Sequence, residues 1–325
     1  MINREKIYKI CQNILDGNTI DDNTAFELSK IENADLWDLF AAANRVREFY
    51  HAKKADLCSI INAKSGLCTE DCSYCAQSLH YFTGAPVYPM LAVPQIAAAA
   101  ESAKKNGAKR FSIATSGRGI ESSKDFQTIA KGIEAIRKLG LFPCATLGAL
   151  NKEQLLILKQ AGLDRYHHNI ETSKDFFPRI CSTHSFEDRL QVLRDAQDIG
   201  LSVCSGGIFG MGESMDERIN MAFTLREMKV DSIPINFLMP IQGTPLEHQS
   251  PIQPLEALHI IALFRLILPQ TEIRVCGGRQ RALQQLHSLI FTAGANGLMI
   301  GNYLTTSGMD PEQDLNTIKN LDLNV

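Results

Sequence analysis

The sequence has no apolar run long enough to span a bilayer. Its most hydrophobic stretch, ALHIIALFRLIL, is short and is broken by Arg265. The first segment, MINREKIYKICQNILDG, mixes charges among its apolar residues, so no export signal is expected. Neither sign of charge dominates: 33 Lys and Arg stand against 36 Asp and Glu, for a net charge of −3. The basic residues are scattered, which argues against a nucleic-acid partner. No internal repeat, low-complexity tract or linker divides the chain. These absences predict a soluble, cytoplasmic protein with a large core and no membrane or nucleic acid among its partners.

Cysteine, in contrast, is plentiful, with nine in 325 residues. A long chain without an export signal is a poor candidate for a disulfide scaffold, so clustered thiols point to metal or redox chemistry. Cys11, in the helical pattern IYKICQNIL, is expected to be an ordinary buried apolar residue.

Residues 1–52 read as a helical extension; NADLWDLFAAANRVREFYHAK carries an apolar stripe at helical spacing. From residue 53 to 325 short β-rich runs alternate with amphipathic helical segments. The strand-like runs are DLCSIINAK, KRFSIAT, LFPCATL, DRYHHNIE, LSVCSGGI, DSIPINFL, TEIRVC and GLMIG. Several helical segments between them end in Gly after a basic turn, as helix C-termini do. This rhythm predicts an α/β fold, a (β/α)8 TIM-type barrel with reactive groups at the strand C-termini. An open doubly wound sheet is the alternative.

The loop after the first strand reads AKSGLCTEDCSYCAQS and sets Cys68, Cys72 and Cys75 at Cys-x3-Cys-x2-Cys. Zinc would want a second ligand pair at short spacing, and none follows at a finger-like distance. Three thiolates on a tight loop suit a cubane 4Fe–4S cluster with one iron left open for substrate or cofactor.

The spacing, with Tyr74 just before the third cysteine, resembles the signature of radical S-adenosylmethionine (SAM) enzymes. The resemblance extends along the chain through IINAKSGLCTEDCSYCAQS, YHHNIETS, EDRL, VCSGGIFGMGES, PINFLMPIQGTPLE and GNYLTTSG. These six blocks are similar, in the same order, to those of the biotin synthase family. That resemblance implies sulfur insertion into dethiobiotin to form biotin. SAM would be bound at the open iron and cleaved to a 5′-deoxyadenosyl radical, and an auxiliary iron–sulfur cluster would provide the sulfur. It also implies a reducing donor of the flavodoxin or ferredoxin type, and a homodimer. Another radical SAM enzyme, of the hydrogenase-maturase-like group, is the alternative, and a non-catalytic iron–sulfur carrier is a third reading.

Single residues follow from the matched blocks. Gly206, Gly207 and Ile208 stand where a strand ends and glycines let backbone approach a ligand; the resemblance makes that ligand SAM. His167, Asn169 and Glu171 alternate, so a strand would put them on one face. Asn169 and Glu171 are then SAM or substrate contacts through paired donors and acceptors. The resemblance further implies substrate contacts at His167 and Asn236, a SAM contact at Tyr74, and pairing of Arg189 with the SAM carboxylate.

The chain departs from its family at the auxiliary site. The family's 2Fe–2S cluster is held by three cysteines and an arginine, from strands two, three, five and seven. Here Cys144, Cys204 and Arg274 match, but Ser112 stands where the strand-two cysteine belongs. A serine alkoxide is a poor exchange for thiolate on soft iron. Cys58, where relatives often have serine, and Cys276, two residues beyond Arg274, make up the loss. A ring of Cys58, Cys144, Cys204 and Cys276 is therefore expected near Arg274, favouring an auxiliary cluster of 4Fe type over 2Fe–2S. Cys181, after strand four, is a fifth candidate nearer the SAM site.

Overall fold

The computed structural model describes residues 2–325. All eight expected strand runs form, and every pairing within the sheet is parallel. The strands are β1 (Asp56–Lys64), β2 (Arg110–Thr115), β3 (Phe142–Thr146), β4 (Arg165–His167), β5 (Ser202–Cys204), β6 (Gly207–Phe209), β7 (Ser232–Phe237), β8 (Glu272–Val275) and β9 (Gly297–Met299). β5 and β6 are two halves of the fifth stave, interrupted at Ser205 and Gly206. The sheet runs β5-β4-β3-β2-β1-β9-β8-β7-β6 and closes where Cys204 of β5 pairs with Ser232 of β7. The result is a closed (β/α)8 barrel rather than an open sheet.

Closure explains the composition of the strands. Staves buried on both faces read as nearly continuous apolar runs, and alternate residues enter the lumen. On β1, Leu57 and Ala63 are fully buried toward the helices, while Cys58 and Ile60 face inward and line an internal cavity. Return helices are stopped as the sequence indicates: Gly140 and Gly200 follow helices Ser123–Lys138 and Phe186–Asp198 at φ +80° and +73°. Those are left-handed positions that glycine adopts at least cost.

Three helices, α1 (Arg4–Leu15), α2 (Asp22–Leu28) and α3 (Asn33–His51), precede the barrel. α1 packs on α3, and α2 and α3 pack on helix Pro254–Ile267, which holds most of the apolar run noted above; all share one hydrophobic core with the barrel. Cys11 is buried in that core, as expected. Arg265, which breaks the run in sequence, is a fully buried junction. It donates to the carbonyls of Gly294, Pro269 and Thr271 and to Asn296 Oδ1, at 2.7–2.9 Å. Among the described residues, no helix is long and apolar enough to cross a membrane.

A candidate active site with two groups of thiols on the barrel axis

The loop after β1 folds back on itself at the C-terminal mouth. Cys68 N–H donates to Gln77 O (3.0 Å), Leu79 N–H to Cys68 O (2.8 Å) and Cys75 N–H to Cys72 O (2.9 Å). Gln77 Oε1 accepts from Asn62 Nδ2 and Ser65 Oγ, both at 3.0 Å, tying the loop to the end of β1. A second segment, residues 180–185, is buckled onto it. Ser73 N–H donates to Ile180 O at 2.8 Å, and the Asp71 carboxylate accepts from the backbones of Ser182 (2.9 Å) and Thr183 (3.2 Å).

Cys68, Cys72 and Cys75 line a single cavity of about 380 Å³, together with Tyr74, His167, Asn169, Glu171, Arg189, Ile208 and Asn236. Ten of the twelve residues assigned to the triplet, SAM or substrate therefore meet in one space. The exceptions are Gly206 and Gly207, which do not line it. A Cβ on Gly206 would come within 2.1 Å of Pro234 O, and one on Gly207 within 2.1 Å of Glu171 O. Neighbouring backbone alone therefore requires glycine at both positions.

The strand expected through YHHNIETS also stops early, at His167. Asn169 and Glu171 lie beyond it, and Glu171 takes φ +69°, so simple alternation does not place them. Hydrogen bonds do: Asn169 Oδ1 accepts from Gly206 N–H (3.1 Å) and its Nδ2 donates to Glu171 Oε2 (3.3 Å). Asn236 bridges two staves, donating to Gly207 O (3.1 Å) and accepting from Gly277 N–H (2.9 Å). That leaves it one donor and one lone pair for a ligand.

Arg189 enters from helix Phe186–Asp198, whose start is fixed by a Ser185–Asp188 capping box. It is buried rather than solvated. It donates to Asn169 O (2.8 Å) and His184 Nε2 (3.0 Å), and lies 3.6 Å from Glu171 and 3.9 Å from Cys72 Sγ. Cys181 is indeed at this end of the barrel: Cys72 Sγ donates to Cys181 Sγ at 3.8 Å. That bond pushes the Cys72 thiol up and draws Cys181 down.

Below lies a second, smaller cavity of about 30 Å³, lined by Cys58, Cys144, Cys204 and Cys276 with Ser112 and Arg274. The four cysteines come from staves one, three, five and seven, as expected. Alternate staves of a barrel share a level. Two residues that the sequence reading passed over also face this cavity, Arg110 and Arg165. The signal for both was available: Arg110 is two residues before Ser112, and Arg165 two before His167. Glu272 accepts from Arg165 (2.6 Å) and Arg274 (2.7 Å). Burial pushes its carboxyl up, but Arg274 and Arg165 outweigh this and hold it down to about 2.

The donor sets fit soft metal centres. Burial pushes the thiols of Cys75 up to about 11 and Cys144 up to about 12, and raises Cys68 and Cys204 as well. Without metal these are neutral thiols, and a metal must displace their protons. Cys58 differs, because the neighbouring Cys276 thiol, aided by the Arg274 guanidinium, holds it below the ordinary thiol range. In the upper cavity the Thr115 and Thr146 hydroxyls, and in the lower one that of Ser112, are buried without a partner among the described residues. Buried polar groups without partners mark places where a polar guest completes the bonding.

Comparison with known proteins agrees with this architecture. The profile of the Radical SAM superfamily matches residues 64–225, and that of the Biotin and Thiamin Synthesis associated domain matches residues 234–324. The biotin synthase of Geotalea daltonii is 48% identical over 318 residues, covering 98% of this chain and 97% of that protein. That of Thermodesulfovibrio yellowstonii is 52% identical over 292 residues, covering 90% and 92%. Among solved structures, methylornithine synthase superposes with a TM-score of 0.85 at 20% identity, covering 97% and 96% of the two chains. The FeFe-hydrogenase maturase from Carboxydothermus hydrogenoformans gives 0.81 at 17%, covering 98% and 79%. At such identities these two speak for the fold alone.

Proposed function

The chain belongs to the biotin synthase family of radical SAM enzymes, and from that premise we propose how its residues divide the work of making biotin from dethiobiotin. The observation that carries the reading is the stacking of the two cavities: Ile60, His167 and Met299 line both. A guest in the upper cavity therefore sits between the triplet and the thiol ring.

Cys68, Cys72 and Cys75 would hold a 4Fe–4S cluster, which with SAM would supply reductive radical chemistry in the upper cavity. Arg189, buried beside Cys72 and Glu171, is placed to pair with an anionic group of that cofactor. Asn169 and Glu171 offer a donor and acceptors to hydroxyl or ureido groups, and Asn236 and His167 face the substrate. With its cofactors bound, the site would supply the radical and sulfur chemistry that turns dethiobiotin into biotin, and the barrel walls around these residues would exclude water.

Cys58, Cys144, Cys204 and Cys276 hold the auxiliary cluster, with Arg274, Arg110 and Arg165 around it to offset anionic charge. Four thiols would favour a 4Fe over a 2Fe–2S cluster, which would supply the sulfur. Ser112 is not a ligand. The working protein is a cytoplasmic homodimer served by a flavodoxin- or ferredoxin-type donor.

The test is anaerobic reconstitution with iron and sulfide, followed by reductant, SAM and dethiobiotin. Biotin should form, and iron counting with Mössbauer spectroscopy should give two clusters. SAM cleavage without biotin, and no binding of dethiobiotin, would favour another radical SAM reaction instead.

A further inference from the structure

The triplet loop lacks a nearby ligand pair of the kind zinc uses, but the fold supplies one from more than a hundred residues away. Cys181 and His184 form a Cys-x2-His turn on the segment buckled to the loop, and with Cys72 their ligand atoms all lie within 4.8 Å of one another. The separations match a tetrahedral metal. Two sulfurs at about 2.3 Å from one ion stand about 3.8 Å apart, and a sulfur and an imidazole nitrogen about 3.6 Å. Cys72 Sγ and Cys181 Sγ are 3.8 Å apart; His184 Nε2 is 3.8 Å from Cys181 Sγ, and Nδ1, nearer at 3.3 Å, is engaged by Glu70.

The surroundings prepare the histidine. His184 Nδ1 is hydrogen-bonded to the Glu70 carboxylate, and Nε2 accepts from Arg189 Nε at 3.0 Å. The ring thus has its proton on Nδ1 and its lone pair on Nε2. That is the carboxylate–histidine–metal arrangement, in which the second shell fixes the tautomer and raises ligand basicity. Arg189 Nε must give up this contact when an ion binds, and it keeps Asn169 O and Glu171 as partners. Backbone bonds from Ser182 and Thr183 to Asp71 hold the turn in place beforehand.

We propose that Cys72, Cys181 and His184 form a mononuclear site for a borderline divalent cation such as Zn(II), Fe(II) or Co(II), built before any cluster is present. Cys72 belongs to both sets. A single ion at this site and a cluster at the triplet therefore exclude one another. The site itself is independent of the functional reading above; only this exclusion rests on it.

Cobalt(II) is the probe, added to the full-length, cluster-free protein without oxygen and read by ligand-field and thiolate charge-transfer absorption. Because the ring thiols can also take cobalt, variants are compared under one condition, with circular dichroism checking that each is folded. Cys72→Ser, Cys181→Ser and His184→Gln should each weaken the first cobalt by at least roughly tenfold, while Cys68→Ser and Cys75→Ser leave it in place. Wild-type affinity in either Cys181→Ser or His184→Gln overturns the proposal. Loss in Cys68→Ser would then locate the ion in the triplet, and loss in none of these variants would locate it in the ring. One equivalent of zinc should next block iron–sulfur assembly at the triplet in the wild type but not in Cys181→Ser. Unhindered assembly in zinc-loaded wild type overturns the sharing of Cys72. If zinc-free wild type assembles no triplet cluster, the functional reading fails, and the cobalt result still decides the metal site.

Discussion

The two groups of thiols are built by opposite means. The upper three sit within eight residues on one loop, held by local backbone bonds and by the Asp71 buckle. The lower four are each on or just past a different stave, separated by 60–86 residues, and meet only because the barrel closes. A loop can be remodelled without disturbing the core, so the upper site can open to a cofactor of SAM's size. A ring of staves cannot move without straining a close-packed interior. The upper cavity measures about 380 Å³ and the lower about 30 Å³.

The largest effect should come from breaking the upper site. Cys68→Ala, Cys72→Ala or Cys75→Ala should abolish SAM cleavage, because each thiolate anchors one iron of the cubane. Absorption from the lower cluster should partly survive, since no ring ligand is touched. Full cleavage by reduced, reconstituted Cys72→Ala protein would show that the triplet is not the radical site.

Breaking the lower site should separate the two functions. Cys58→Ser and Cys276→Ser should each strip auxiliary iron and stop biotin formation while uncoupled SAM cleavage continues. Ser112→Cys alone should not convert the site, because the ring is anchored on other staves. Iron counts decide this: full auxiliary occupancy in both serine variants would leave Cys144 and Cys204 as the anchors and dissolve the ring.

The same contrast governs what could be read beforehand. The triplet was legible because its ligands are contiguous, and the spacing alone states the chemistry. The eight staves were legible from their apolar rhythm, apart from the break at Ser205–Gly206 and the short β4. The ring was reachable only by asking which cysteines fall on alternate staves, and Arg110 and Arg165 were missed although they follow the same period of two. Gly206 and Gly207 were legible as obligatory glycines but not the reason for them, because a glycine at a strand end looks the same whether a ligand or neighbouring backbone approaches it. The Glu70–Asp71 buckle and its partners at residues 182–184 had no local signal at all, being a contact between segments more than a hundred residues apart.

Electrostatics should sharpen the comparison further. Glu272 ties Arg165 and Arg274 beneath the ring, and its carboxyl is held at about 2 against an ordinary 4.5. A carboxylate depressed in the folded state stabilises above its unfolded value, and that contribution is lost as pH falls through the folded one. The span corresponds to about 3 kcal/mol. Denaturant midpoints should therefore separate wild type from Glu272→Gln at neutral pH, and the gap should close between about pH 4.5 and pH 2. A gap of constant size across that window would mean that shape, not charge, makes Glu272 matter.

The smallest effect belongs to the seam between the two regions, at Asn236. Its amide spans the fifth and sixth staves and the turn after β8, through Gly207 O and Gly277 N–H. One donor and one lone pair remain for the upper cavity, where a ureido group would need both. Leaving a buried ureido partner unpaired costs about 1–3 kcal/mol per hydrogen bond, or roughly five- to a hundredfold in affinity. Asn236→Ala should weaken dethiobiotin binding by that factor while iron content stays at the wild-type value, because neither group of thiols uses this side chain. Loosening of the staves would be the rival cause, and it is separable. It would lower the melting temperature and weaken SAM binding in step with dethiobiotin, whereas loss of a direct contact weakens dethiobiotin far more than SAM. Unaltered dethiobiotin affinity would remove Asn236 from the substrate set and leave it as a brace between staves.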